Sequence, residues 1–394
     1  MKKYFIIAIA ALAAGTACTK VETVEAPAQK IDFQVASYVP QTRADDYSGT
    51  SLLNEGCTSF YTNGWYTPTS GTANQQYMGP NVEIKPDVTP NPTKWSAVTD
   101  YYWPRSGYIN FFSYASKNAI TPTWGASGAG TFAISDYVVK EDDNILIADA
   151  VYRATTNTNN VTDTENSNNP TGVPTLFRHV LSQISFKLAL GTTEPKKTTE
   201  TSFEATITEA KLVKVLSTGS LSLTAGADAG SSLNIQPWTP ASDGTVVGWT
   251  ATTATKDITL APAGTGATNK LTLAAATQTG DFTDYLVNYT VLPQTLSDDL
   301  ELQIKFDLDY KHGTTVYASE KDLTVSAKLK GILSNATTPA AINSWNMNQR
   351  ILYKVIIDPV TEVILFDPAV LPWVEVEATH GPVVPVAPTP TTGD

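Results

Sequence analysis

Along most of the chain, apolar side chains recur with a period of two and hardly ever with the 3.6-residue period of a helix. In "LELQIKFDLDY", Leu302, Ile304, Phe306 and Leu308 alternate with Glu301, Gln303, Lys305, Asp307 and Asp309. This predicts a strand with one face in a core and the other in water. "IDFQVASYV" repeats the pattern near the N-terminus, where Ile31, Phe33, Val35 and Val39 share a face opposite Asp32, Gln34 and Tyr38. Further strands are predicted at "NVEIKP", "TDYYWP", "GYINFFSYAS", "TFAISDYVV" and "NILIADAVYR", with Gly, Pro, Asn or Asp between most of them. Asn63-Gly64 lies between aromatic runs and predicts a hairpin turn, because both residues tolerate positive φ. Later strands are predicted in "PTLFRHVLSQISFKLAL", "DYLVNYTVLPQTL", "KDLTVSAKL" and "RILYKVIIDP". "SFEATITEAKLVKVLSTGSLSLT" reads as a hairpin or two neighbouring strands, and "TPAAINSWN" offers at most one helical turn.

Both ends depart from this regularity. "MKKYFIIAIAALAAGTACTK" joins two lysines to a short apolar run and small residues, the form of an export signal too short to span a bilayer. Gly15-Thr16-Ala17 before Cys18 resembles a loose bacterial lipobox, with Gly15 where Leu or Val is usual. A lipoprotein signal peptide over residues 1–18 is expected, with Cys18 carrying palmitate-type acyl chains; a plain secretion signal is the alternative. Residues 19–30 have no apolar period and read as a tether, so that 19–43 comprises tether plus first strand. No later run is long and apolar enough to cross a membrane, and the expectation is a chain that is soluble and outside the cytoplasm. At the other end, "TEVILFDPAVLPWVEVE" offers one or two strands before a Pro-rich tail. Pro368 and Pro372 cannot donate ladder hydrogen bonds, which favours two short strands joined by a bend.

Residues 155–172, "TTNTNNVTDTENSNNPTG", are polar and of low complexity, a domain boundary or a long exposed loop. Taken as a boundary, they divide the chain into β-sandwiches at 44–170 and 171–394. The composition suits sandwiches with polar outer faces, being 42% hydrophobic but only 16% charged. The formal charge is −12, and residues 1–43 are net basic, so the remainder is more negative still. Nucleic acid is thereby disfavoured as a partner, since phosphates need a basic face. Cys57 is the only other cysteine, so with Cys18 acylated neither an intramolecular disulfide nor a cysteine zinc site can form.

Candidate chemistry is sparse. His179, His312 and His380 lie in different segments, and His179 beside "VLSQISF" reads as structural. G-x-S-x-G, phosphate-loop and H-E-x-x-H motifs are missing from the sequence. Glu141-Asp142-Asp143-Asn144 offers oxygen ligands to calcium but reads as a solvated loop. Asp307 and Asp309 stand side by side on a wet face, whereas glycosidase acids face each other across a cleft. No enzyme, cofactor or metal is expected. Eight tryptophans, spread over many segments, read mostly as core anchors; a surface lipoprotein or tip adhesin that stacks glycans on some of them is the alternative.

Taken together, "FQVASYVPQTRA", "YYWPRSGYINFFSYAS", "DDNILIADA", "LFRHVLSQISFKL", "VLPQTL" and "SWNMNQRILYKVII" resemble, in order and spacing, the fimbrillins of Bacteroidetes, the subunits of type V pili. The resemblance implies an all-β fold of two tandem transthyretin-like β-sandwich domains. It implies an outer-membrane lipoprotein precursor that reaches the cell surface and is cut by an arginine-specific protease, here between Arg43 and Ala44. The removable strand would carry Ile31, Phe33, Val35 and Val39. The donor strand that replaces it in a neighbouring subunit would draw on Val363, Leu365, Phe366, Val370, Trp373, Val374 and Val376. Implied partners are other fimbrillin subunits, the protease, and a glycan or protein on a host or bacterial surface.

Overall fold

The computed structural model describes residues 30–37, 51–68, 75–104, 107–125, 131–148, 151–154, 172–192, 201–224, 248–252, 254–260, 269–275, 277, 279–334, 340–359, 363–366 and 369–372. The chain starts with β1 (Asp32–Ser37) and a four-residue helix, α1 (Ser51–Asn54). Then come β2 (Phe60–Thr67), β3 (Gln75–Pro86), β4 (Trp95–Ala97), β5 (Tyr108–Ser116), β6 (Thr123–Trp124), β7 (Thr131–Val138), β8 (Ile145–Ala148) and β9 (Val151–Ala154). After the polar stretch follow β10 (Val173–His179), β11 (Ser182–Leu190), β12 (Thr201–Leu216), β13 (Thr218–Thr224), β14 (Trp249–Ala251), β15 (Thr255–Thr259), β16 (Lys270–Leu273) and β17 (Thr283–Val291). The last group is β18 (Gln294–Thr295), β19 (Glu301–His312), β20 (Thr315–Lys328), β21 (Ile332–Leu333), β22 (Ala341–Ile342), β23 (Ser344–Trp345), β24 (Gln349–Asp358), β25 (Val363–Phe366) and β26 (Ala369–Pro372). The all-β class expected from the alternation is the class found.

The first sheet runs β2-β3-β4-β1-β10-β8-β5, with β9 also on β5, and β5 pairs back with β2. Its pairings therefore close on themselves, as in a barrel, and leave those strands without a free edge. Inside lies a core of Ile31, Phe33, Val35, Phe60, Met78, Ile84, Trp95, Phe111, Leu146 and Phe177, among others. β10 follows the polar stretch in sequence yet pairs with β8, which precedes it, so a cut at residue 170 passes between paired strands.

The second half forms a sandwich. One sheet is β17-β11-β24 with β25 and β26 along β24; the other is β15-β12-β19-β20 with β16 on β12. Both contribute to one core, which includes Ile184, Phe186, Leu212, Ile304, Phe306, Tyr353 and Val355. On β19 the sequence alternation is realised, with Leu302, Ile304, Phe306 and Leu308 all buried. A smaller sheet, β14-β13-β7-β6, takes β7 from before the polar stretch and β13 from after it. Its core joins Tyr114, Phe132 and Ile147 to Leu221, Trp249 and Met347. Residues 201–224 thus enter two sheets and do not form the expected hairpin or adjacent pair.

Three other expectations are corrected. Asn63-Gly64 is no turn: β2 runs straight through it. A Cβ on Gly64 would lie 3.1 Å from Met78 Cβ and 3.3 Å from Ile109 Cγ2, so glycine is needed for close approach of β3 and β5. The irregularity falls on β3 instead, where Asn81 has φ 56° and donates its N–H to Asn63 Oδ1 at 2.7 Å. "TDYYWP" is not a strand and makes one isolated bridge, Tyr102 to Lys30. In "TPAAINSWN" the described residues form the short strands β22 and β23, not a helical turn.

Where the ring meets the second half a polar cluster is buried. His179, 1% exposed, has Nδ1 2.8 Å from Asn144 Oδ1 and Nε2 3.4 Å from Glu55 Oε1. Asn144 Nδ2 donates to Glu55 Oε2 at 2.9 Å, and the Thr290 hydroxyl of β17 donates to the Asp143 carbonyl at 3.0 Å. Burial lowers the pKa of His179, outweighing the opposing pull of Glu55. The unfolded chain protonates this histidine near pH ~6.5 while the folded chain resists doing so, so its contribution is complete above that pH and is lost below it. The thermal midpoint should therefore fall between pH 7.5 and 5.5, with a shallower pH slope in His179→Gln; equal slopes would show that His179 is not the group responsible.

Candidate functional site

Ile31, directly before β1, and Phe33 and Val35 on it point into the ring, each fully buried. Alternation places them inward because β1 is extended and its neighbours hold the outer face in water. The Phe33 ring meets Phe60 edge-on at 5.5 Å and Phe111 at 5.4 Å. Each such side chain is worth about 1.5–3 kcal/mol of burial, so the three contribute roughly 5–9 kcal/mol as an upper bound. On one side β1 runs parallel to β10, from Phe33 opposite Val173 to Ser37 opposite Phe177. On the other it runs antiparallel to β4, with Asp32 opposite Ser96 and Phe33 opposite Trp95. β1 alone spans the gap between β4 and β10.

Polar contacts fix its outer face and N-terminal end. Ser96 donates its hydroxyl to Asp32 Oδ1 at 2.6 Å, and Lys94 Nζ lies 3.2 Å from Asp32 Oδ2. Lys30 pairs with Asp100 at 2.5 Å, and Ile31 donates its N–H to the Tyr101 carbonyl at 2.9 Å. The hydrogen bond to Asp100 raises the pKa of the Lys30 ammonium. Gly172 has φ +132°, and a Cβ there would fall 3.0 Å from the Asp32 carbonyl oxygen, so β10 can start beside β1 only with glycine at that point. Sequence reasoning missed these fastening residues; the one visible signal was a glycine closing the polar stretch.

The C-terminal candidates sit elsewhere. β25, with Val363, Leu365 and Phe366, pairs with Val355–Asp358 of β24; β26, with Val370, pairs with Gln349–Leu352. Two short strands thus share the length of one, as the prolines suggested. They belong to a different sheet from β1, so the chain does not bring its removable strand and donor candidates together. Cys18, Val39, Arg43, Ala44, Trp373, Val374 and Val376 lie outside the described residues.

The remaining chemical candidates have structural partners. Asp142 pairs with Lys117 at 2.7 Å, and Asp143 Oδ1 accepts from Asn118 Nδ2 at 2.9 Å. Among the described residues no cluster of three or more His, Cys, Asp or Glu could hold a metal ion. Asp307 accepts the Asp322 N–H and pairs with Lys321 at 3.2 Å, which lowers its pKa. Cys57 is buried, and desolvation pushes its thiol up to about 12, far from a reactive thiolate. Trp95, Trp103, Trp249 and Trp345 are buried, and Trp65 and Trp124 are half-buried.

The sequence profile of the fimbrillin-like family matches residues 42–373. The chain belongs to this family. Among the described strands β1 alone lies outside the fimbrillin-like region. No curated protein sequence matches the chain. Among solved structures, a fimbrial protein from Bacteroides vulgatus is similar at 16% identity and TM-score 0.54, over 88% of this chain and 100% of its own; it shares the fold. A candidate cell adhesion protein from Bacteroides uniformis matches at 13% identity and TM-score 0.45, over 88% of this chain and 98% of its own. A candidate polysaccharide-binding protein from Bacteroides thetaiotaomicron matches at 8% identity and TM-score 0.35, over 87% and 98%.

The geometry separates two kinds of contribution in β1. Phe33→Ala in the uncut protein should cost about 3–5 kcal/mol in urea unfolding, because a large ring leaves a closed core. Asp32→Ala removes a partly exposed pair and a hydroxyl bond and should cost about 1–2 kcal/mol. Equal effects would show that the apolar face is not what seats the strand.

Proposed function

We propose that the chain is the precursor of a subunit of a cell-surface type V pilus, exported as a lipoprotein, cut after Arg43, and polymerised by strand exchange in support of adhesion. Membership of the fimbrillin-like family supports the coarser part, a pilus or adhesin subunit at the cell surface. The observation that carries the finer part is the position of β1, which closes the ring between β4 and β10 yet precedes the family region, six residues before Arg43. Its departure would expose an apolar trough and two unpaired edges, a strong demand for another strand. A strand from the C-terminal run of the next copy fills it in this reading. The contact is head to tail and does not close, so copies add without limit into a filament. Until the cut, β1 keeps the trough occupied and the precursor monomeric.

After treatment with an arginine-specific protease, wild-type protein should form ladders resistant to mild detergent, while Arg43→Ala stays monomeric. Ladders from Arg43→Ala would remove cleavage from the mechanism. The anchor is tested separately. Cys18→Ala should leave the protein out of the outer-membrane fraction, since burial of acyl chains contributes about 0.8 kcal/mol per methylene. Unchanged fractionation would rule out the lipoprotein.

A further inference from the structure

With β1 gone, its place keeps a definite chemical pattern. Three inward sites, those of Ile31, Phe33 and Val35, demand apolar side chains. Between the first two, on the outer face, stand the Ser96 hydroxyl and the Lys94 ammonium, both of which hold Asp32. At the near end, the position of Lys30 faces Tyr102 across an antiparallel bridge. Tyr102 is 43% exposed, its carbonyl accepts the Tyr77 hydroxyl at 2.5 Å, and Tyr77 in turn lies against Tyr101 and Tyr66. The seat therefore reads, in order, an aromatic-compatible residue, an apolar one, an acid, an apolar one, a polar one and an apolar one. The occupant must also run parallel to β10.

We infer that residues 373–378 of a second copy, Trp373-Val374-Glu375-Val376-Glu377-Ala378, occupy this seat in the register of residues 30–35. The inference rests on strand exchange as proposed above. Val374, Val376 and Ala378 take the places of Ile31, Phe33 and Val35; Glu375 takes that of Asp32 and is read by Lys94 and Ser96. Trp373 replaces Lys30 opposite Tyr102, exchanging an ion pair for an aromatic cross-strand pair. The apolar-acid-apolar-polar-apolar order also occurs at 203–207, 300–304 and 306–310, but the first lies in β12 and the other two in β19 (Leu300 directly precedes it), strands paired on both sides. Residues 373–378 follow Pro372, the last described residue paired with β24, so donating them leaves every described strand of the donor in place.

A competing register uses Ile364 and Phe366 for Ile31 and Phe33. It fills the aromatic site better but strips β25 from its own sheet, sets Leu365 against Lys94 and Ser96, and puts Pro368 at Val35. Val376 fills less of the Phe33 site than Phe33 does, which yields a gain-of-function test. Val376→Phe should make ladders that survive higher temperature, because its ring can meet Phe60 and Phe111.

Three further proteins, cut after Arg43 by an arginine-specific protease, decide the register. A chain ending at Pro372 retains every described strand and should stay monomeric, with at least about a tenfold loss of ladder against wild type. In Ser96→Cys with Glu375→Cys, oxidation should lock ladders covalently, because residues 96 and 32 are directly opposed. Ser96→Cys with Leu365→Cys should give none. Covalent ladders from the second pair, or full polymerisation by the chain ending at Pro372, would overturn this register and leave strand exchange standing. Failure of cut wild-type protein to form ladders would overturn both.

Discussion

The seating of β1 between β4 and β10 is the constraint on which the first half of the molecule depends. A seven-strand circuit lacks edges only while every link is present, and β1 is the link placed earliest in the chain. Phe33 makes that link structural as well as topological. Its ring stands edge-on to Phe60 of β2 and Phe111 of β5, strands far from β1 in the circuit but adjacent across the core. Loss of β1 therefore empties the middle of the core and opens the wall together.

The second half is built on a different principle, which in the proposed mechanism lets it supply a strand without collapsing. Its core is shared between two open sheets, and β24 at its centre is flanked by β11 on one side and by β25 and β26 on the other. Among the described residues, that pairing extends to Pro372. The two halves are also bound to each other, through the β7–β13 pairing and through the Thr290 hydroxyl of β17, which donates to the Asp143 carbonyl beside the His179, Asn144 and Glu55 cluster.

Much of this was legible in the sequence wherever periodicity is local. Ile31, Phe33 and Val35 announced a buried face, and so did Leu302 to Leu308, because side-chain alternation depends only on the strand itself. Sheet membership was not legible. Residues 201–216 and 218–224 are continuous in sequence yet divide between sheets, a choice made by distant partners on β19 and β7. Asn63-Gly64 misled for the same reason: its turn chemistry is real, but the space between Met78 and Ile109 decides what the glycine is for. Of the site, the apolar half was visible and the polar half was not, since Lys94, Ser96 and Asp100 gain meaning only once folded against residues 30–32.

In the proposed mechanism, the cut changes connectivity before it changes any contact. While residues 38–50 tie β1 to α1, the strand competes for its seat at the high effective concentration of a short tether, and a free neighbour cannot displace it. After cleavage the same side chains hold β1, but it is now a separate peptide whose departure is no longer opposed by the tether. The order of features along the chain adds a second consequence. Cys18, β1 and Arg43 occur in that sequence, so a lipid on Cys18 would remain with β1 on the removed peptide. One hydrolysis would then free the ring for its neighbour and free the subunit from the membrane, with the displaced strand held back at the lipid surface and diluted away from the filament. That arrangement would make exchange directional without any difference in affinity between β1 and the strand that replaces it, and would account for a strand as well fitted as β1 standing in a segment that the proposed cut removes.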